Sequence, residues 1–233
     1  MQRTHINKPF TLVELMVVIG IMIIILSLSA PAFKKLAMGS SVDIAARMVS
    51  SQLMLARAEA ISRRECIAVV MPGSNFNKDA NDISNYSYTA FRSAIVELDD
   101  SNCKFKEWVP GTQWAFLPVG AIIRDVSDSI PSIIKYSSTD GKYERDPSVV
   151  SFSAGGSCSS IKEQSSGDMM NGVNNTSNTI RCIIFKPNGR TTKSCFITVK
   201  EGLTDDTKDS LVDNCHILEV SQFTGQTRFL ELD

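Results

Sequence analysis

The chain has 233 residues, of which 43% are hydrophobic and 21% charged, enough apolar material for one membrane helix and one globular domain. Its formal net charge of −1 argues against a protein whose whole surface seeks nucleic acid or acidic lipid.

Residues 1–9 carry Arg3, His5 and Lys8 and no acid, so the positive-inside bias keeps this end in the cytoplasm and sends the rest of the chain outward. An almost unbroken apolar run follows over 10–33. A helix over 10–32 would be about 34 Å long at about 1.5 Å per residue, enough for a hydrocarbon core of about 30 Å. Its one charge is Glu14. An ionised acid in hydrocarbon costs a few kcal/mol, so Glu14 needs either a partner or a snorkelling position near the headgroups. A conventional cleaved secretory signal, with small residues at Ser27, Ser29 and Ala30, would also fit the basic start and the apolar run, but gives no reason for Glu14.

Over 34–64 the character changes. Val42, Ala45, Ala46, Val49, Leu53, Ala56 and Ala60 recur at helical spacing, widened by Ile44, Met48 and Leu55, while Asp43, Arg47, Gln52, Arg57 and Glu59 lie mostly off the stripe. The pattern predicts an amphipathic helix continuing the apolar one past Gly39-Ser40-Ser41 and packing on the domain that follows. That domain, 65–233, reads as β-rich. Strands are expected at 66–71, 88–98, 104–109, 121–126, 148–153, 180–185, 195–200, 216–222 and 227–232. Turn signals separate them, among them Pro72-Gly73, Pro110-Gly111, Asn188-Gly189 and Thr224-Gly225. Successive strands without intervening helices imply antiparallel pairing in two packed sheets. The segment 154–179, crowded with Gly, Ser and Asn, reads as a mobile loop; its Asn174-Asn175-Thr176 matches a glycosylation sequon by chance. The fold class is therefore α+β: a long N-terminal helix, half membrane and half amphipathic, packed on an antiparallel β-rich domain.

All six cysteines follow the apolar run, which is compatible with disulfides, and none has metal-like spacing. A two-residue loop at Asn188-Gly189 would place Cys182 opposite Cys195 as a non-hydrogen-bonded pair, suited to a cross-strand disulfide. A three-residue loop, Pro187-Asn188-Gly189, would instead turn the two sulfurs to opposite faces and leave Cys215 as the next partner for Cys195. His5 lies in the leader and His216 at a strand start, where a structural role is the simpler one. No nucleophile elbow, zinc-protease helix or phosphate loop occurs, and Asp99-Asp100 and Asp205-Asp206 read as solvated turns, with calcium the minor alternative. No enzyme, metal or cofactor is expected.

Lys8-Pro9-Phe10-Thr11-Leu12-Val13-Glu14-Leu15, with Pro31 late in the apolar run, resembles the N-terminus of type IV prepilins and type II secretion pseudopilins. The resemblance implies cleavage between Pro9 and Phe10 by a prepilin peptidase, methylation of Phe10 by the same enzyme, and pairing of Glu14 with the amine of a neighbouring subunit. It also implies a kink at Pro31. Pro9 departs from the family's usual Gly at the cut, and its fixed φ favours an extended leader up to the junction. The order of Ala56-Arg57-Ala58-Glu59-Ala60-Ile61, then Trp114 with Leu117-Pro118-Val119-Gly120, then Lys186-Pro187-Asn188-Gly189 and a closing turn at Thr224-Gly225, resembles the GspH/FimT-type minor pseudopilins.

The expected partners are other pilin or pseudopilin subunits, the peptidase and the inner membrane, with the β-domain periplasmic and later part of a filament. Some FimT-type pilins take up DNA through a Gly-Arg-x-Arg element. Here that place reads Gly225-Gln226-Thr227-Arg228, one arginine short, and Arg190, Lys193 and Arg228 are the remaining candidate DNA contacts. A DNA-binding pilin is the first alternative to an assembly subunit, and an unrelated single-pass anchored protein the second.

Overall fold

The computed structural model describes residues 12–73, 86–99, 102–131, 134–137, 142–145, 158–162, 179–202 and 215–230, and within these the side chains of all but 28–39. The leader with Pro9 and Phe10, the strand expected at 148–153, the sequon and Asp205-Asp206 lie outside the described residues, as does the side chain of Pro31. One helix, α1 (Leu12–Arg63), precedes twelve strands among the described residues: β1 (Cys66–Val70), β2 (Ala90–Asp99), β3 (Asn102–Trp108), β4 (Ala115–Phe116), β5 (Ala121–Ser127), β6 (Ile134–Ser137), β7 (Lys142–Arg145), β8 (Ser159–Lys162), β9 (Thr179–Phe185), β10 (Cys195–Glu201), β11 (Cys215–Val220) and β12 (Thr227–Leu230). The chain divides into two compact units, Met1–Met38 and Gly39–Asp233.

In the first unit every large apolar side chain between positions 12 and 26 is exposed, on all sides of the helix. The span expected over 10–33 is not recovered as such: among the described residues no helix is long and apolar enough to cross a membrane. The stretch with described side chains ends at Ser27, and 12–27 amounts to about 24 Å of helix against a core of about 30 Å.

In the second unit the amphipathic stripe falls where its period put it. Val42, Ala45, Ala46, Val49, Leu53, Ala56 and Ala60 are all fully buried, and four of them are alanines, which lets α1 lie close to the strands beneath. Ile44 and Leu55 do not widen this buried face; both remain about half exposed, at 47% and 52%. The helix closes where Arg64 takes a left-handed backbone, φ 57°, a conformation more often given to glycine at a helix C-terminus. Glu59 and Arg63, one turn apart, pair in the last turn.

The strands form a six-stranded sheet, a four-stranded sheet (β12-β11-β10-β5) and a two-stranded hairpin (β6-β7), one sheet more than the sequence suggests. In the first, β1 pairs with both β9 and β2, which closes β1, β9, β8, β3 and β2 into a five-stranded ring, with β4 appended to β2. All described pairings are antiparallel save β3 with β8, where Cys103 faces Ile161 and Lys104 faces Lys162. Alternation along β1 sends Ala68 and Val70 into the ring, with Ala94, Val96, Ile161, Ile180 and Ile184. It sends Ile67 and Val69 outward, into a larger core shared with α1 and with Ile197, Val199, Leu218 and Val220 of the four-stranded sheet. A third cluster, Ile134, Phe196 and Ile217, fills the opposite face of that sheet.

The strand β8 lies inside the stretch expected to be a loop, anchored by the fully buried Ile161 and by a disulfide from Cys158 to Cys195, whose Cα atoms are 5.7 Å apart. Cys195 is therefore bonded neither to Cys182 nor to Cys215. The turn after β9 has the three-residue form: Gly189 N–H donates to the Lys186 carbonyl (2.8 Å), Lys186 N–H donates to the Arg190 carbonyl (2.8 Å), and Gly189 sits at φ 75°. Phe185 faces Thr191, but beyond that the strands part, β9 staying in the ring and β10 joining the other sheet. By loop-closure entropy the bond across 37 residues contributes about 4 kcal/mol.

Candidate functional site

Of the residues expected to process and assemble the chain, the structure describes Glu14, in the first turn of α1 amid the exposed apolar side chains. The family-like pieces further along are brought together. Arg57, on the helix, donates from Nε to the Gly189 carbonyl (3.1 Å), and a Cβ built on Gly189 would lie 2.8 Å from Cδ1 of Ile61. The turn carrying Thr224-Gly225 closes by Gly225 N–H donating to the Ser221 carbonyl (2.7 Å) and Ser221 N–H donating to the Gln226 carbonyl (3.0 Å). It seats Gly225, at φ 64°, so close to the other turn that a Cβ there would stand 2.0 Å from the Gly189 carbonyl oxygen. Helix and two turns thus share one knot. Trp114 is elsewhere, stacked edge-on between Trp108 and Tyr86 at 5.3 Å from each, against the open end of the ring's core.

The knot makes a graded prediction. Gly111 also has positive φ, 81°, but open space around it. Gly111→Ala is expected to cost about 1 kcal/mol for the left-handed backbone alone. Gly225→Ala adds a collision with backbone that has no flexible end to yield, and is expected to cost about 3 kcal/mol. Equal losses for the two, by thermal melting of the full chain in detergent, would show that the turns are not pressed together.

A residue absent from the sequence reading organises the second unit. Arg181, mid-way along β9, donates from Nε to the Met71 carbonyl (2.8 Å), from Nη1 to Arg124 (3.0 Å), and from Nη2 to Pro72 (3.1 Å) and Ile123 (2.6 Å). Its guanidinium lies 5.0 Å from the ring centroid of Tyr88, whose backbone is itself left-handed at φ 62°. Burial lowers its pKa to about 10, against the opposing pull of Tyr88 and Asp125, so it stays protonated at neutral pH. The signal in the sequence was a lone arginine in Ile180-Arg181-Cys182-Ile183-Ile184, a strand otherwise apolar on both faces.

The DNA candidates do not converge on a free basic surface. Arg228 Nη2 is 2.6 Å from Glu219, and Lys193 Nζ is 2.8 Å from Asp128, whose carboxyl is held below its ordinary range by that lysine. Arg190 is exposed on the turn after β9. His216 stands edge-on to Phe229 and 3.9 Å from Asp43, joining β11 to the helix. An apolar groove of about 430 Å³ lies between α1 and β2–β4, with Ile44, Met48, Leu55, Phe91 and Ala115 in its walls. Two of its polar members are engaged, Arg47 with Asp43 (3.1 Å) and Gln52 with Ser93 (2.8 Å). Among the described residues no group of three or more His, Cys, Asp or Glu is placed to hold a metal ion.

A scan of protein-family models finds no match, and no curated protein is significantly similar in sequence. Two solved structures are similar in their course. The type IV minor pilin FimU of Pseudomonas aeruginosa superposes with a TM-score of 0.41 and 12% identity, over 82% of this chain and 89% of that one. The minor pseudopilin EpsH from the Type 2 Secretion System of Vibrio cholerae superposes with a TM-score of 0.35 and 14% identity, over 83% of this chain and 99% of that one.

Proposed function

We propose that the chain is a minor subunit of a type IV pilus or type II secretion pseudopilus, cut between Pro9 and Phe10, methylated on Phe10, and assembled through the start of α1. The observation that carries this reading is the exposure of every large apolar side chain between positions 12 and 26, around a single carboxylate, Glu14. Such a surface, apolar all round, is stable only under cover of lipid or of other apolar helices. A carboxylate inside that cover needs a cation, and the new amine of a neighbouring Phe10 supplies one. Before assembly the segment anchors the chain in the inner membrane with the β-domain on the periplasmic side. The Cys158–Cys195 disulfide supports that side, since such bonds persist outside the reducing cytoplasm. Pairing of Lys193 and Arg228 with carboxylates weighs against DNA capture, because phosphate binding recruits several unpaired cations.

Mass spectrometry of the mature N-terminus tests the processing step. The expected species begins at N-methyl-Phe10; a chain from the native membrane that retains Met1 would overturn it.

A further inference from the structure

We infer that the outer face of α1 in the second unit docks the same face of a second copy of this chain, the two helices lying side by side and parallel. The buried stripe from Val42 to Ala60 defines the inner face. Half a turn away, where an amphipathic helix ordinarily carries its charges, stand Ile44, Met48, Ser51, Leu55, Ala58 and Ser62, none of them charged. They recur at alternating steps of four and three, the spacing of a two-helix seam. Met48 is partly covered by the domain and the others are exposed. Single exposed apolar side chains need no explanation. Here Ile44 and Leu55 are joined on one flank by Met54 and Ile61, 55% and 47% exposed, so large apolar groups face water from Ile44 to Ile61.

The seam is one residue wide and about 27 Å long at about 1.5 Å per residue, a shape that fits the ridge of a second helix. Beside it lies the apolar groove walled by Phe91 and Ala115. Three properties point to another copy as the occupant. The seam is complementary to itself: in a parallel pair in register Ile44, Met48 and Leu55 each meet their own counterpart, and Ser51 and Ala58 are small enough for the axes to approach. That pairing opposes no like charges, since the flanking positions set Arg47 against Gln52, and Met54 against Glu59, of the other copy. The same two-fold turns the Met54 flank of each helix toward the groove flank of the other, so ridge meets groove twice.

The inference rests on the membrane placement proposed above. From Ile44 to Ser62 the seam spans fewer than three heptads, short for a stable pair in free solution. Anchoring supplies what the length does not. Copies held in one membrane leave it in one direction, which fixes the parallel sense, and meet at a raised local concentration.

A photoreactive amino acid at Leu55 of the full chain, irradiated in the native membrane, tests the seam. The expected product has twice the mass of the chain, and its linked peptides join Leu55 to residues 44–62 of a second copy. The same probe at Tyr136, 55% exposed on the hairpin, is expected to give background only. Ser51→Glu with the probe at Leu55 sets two carboxylates face to face and is expected to lower the yield about tenfold, with the melting of the chain unchanged because Ser51 is exposed. No product above the Tyr136 background, or a product with a different protein, overturns the second copy as occupant. Linked peptides outside 44–62 overturn the register, and an undiminished yield from the Ser51 variant overturns the seam. The N-terminus of the same sample separates this from the function proposed above: N-methyl-Phe10 without the product overturns the docking alone, and intact Met1 with the product overturns only the processing.

Discussion

Arg181→Met is expected to destabilise the β-domain by about 3–5 kcal/mol, lowering its melting temperature by about 10 °C for a domain of this size. The guanidinium is one group serving four carbonyls, from Met71 and Pro72 after β1 and from Ile123 and Arg124 in β5. It thereby stitches the ring to the four-stranded sheet. Methionine matches much of the stem volume but leaves those oxygens without this donor, and each carbonyl so deprived in a dry setting costs about 1–3 kcal/mol. The Tyr88 ring loses its cation at the same time, and with it part of what holds a strained backbone in place. Arg181→Lys is expected to recover less than half of the loss. An ammonium carries three donors at one point, and the four oxygens are met by a planar fork whose nitrogens are spread apart. Chemical denaturation of the full chain in detergent would read both variants. A methionine variant within about 1 kcal/mol of the parent would show that the oxygens are served by water and that Arg181 is incidental.

Glu14→Ala is expected to leave cleavage before Phe10 intact and to reduce incorporation into filaments at least 100-fold. In the proposed assembly the carboxylate and a neighbouring amine are both removed from water, so deleting one strands the other, at a cost of about 3–5 kcal/mol. At about 1.4 kcal/mol per tenfold, that corresponds to 10²- to 10⁴-fold weaker docking. Glu14→Gln separates charge from shape: an amide of the same length fits the same space, and its filaments should be nearly as scarce. Sheared-filament yield compared with the amount of mature chain in the membrane is the measurement. Normal yield from the alanine variant would sink the role given to Glu14.

The parts of the fold legible in the sequence are those where burial follows a local period. The stripe from Val42 to Ala60 needs only a period near 3.6, and its seven regularly spaced members are buried, whereas Ile44 and Leu55, expected to widen it, are not. Strands such as β5, β9 and β10 announce themselves as β-branched runs, and their bounds agree with expectation to within a residue or two. The strand β8 was hidden because its only large apolar residue is Ile161, which shows no alternation among Ser, Lys and Gly. The disulfide was missed for a different reason. Counting outward from Pro187-Asn188-Gly189 assumes that β9 and β10 remain partners, and they enter different sheets three residues past the turn, a choice made by contacts far apart in sequence. Arg181 was passed over because a charge in a strand is read as solvent-facing, whereas here the neighbouring loop and β5 supply carbonyls to receive it. The residues proposed for assembly, Phe10, Glu14 and Pro31, form a pattern of types at fixed spacing that belongs to the sequence and not to the folded domain.

Closing β1 onto β2 has a consequence for life at high local concentration. A sheet that ends in a bare strand offers unpaired amides and carbonyls to any chain that drifts past, and in the assembly proposed above the subunits, crowded in a membrane, would meet one another often. Each of the five ring strands has a neighbour on both sides, which shortens such rims, although β8 covers only Cys103 and Lys104 of β3 among the described residues. Among the described strands the remaining margins belong to the two-residue β4, to the hairpin, and to β5 and β12, which carry Arg124 and Arg228. Subunits built this way resist zipping together through their backbones, so their association is left to side chains and can be reversed or redirected by changing them.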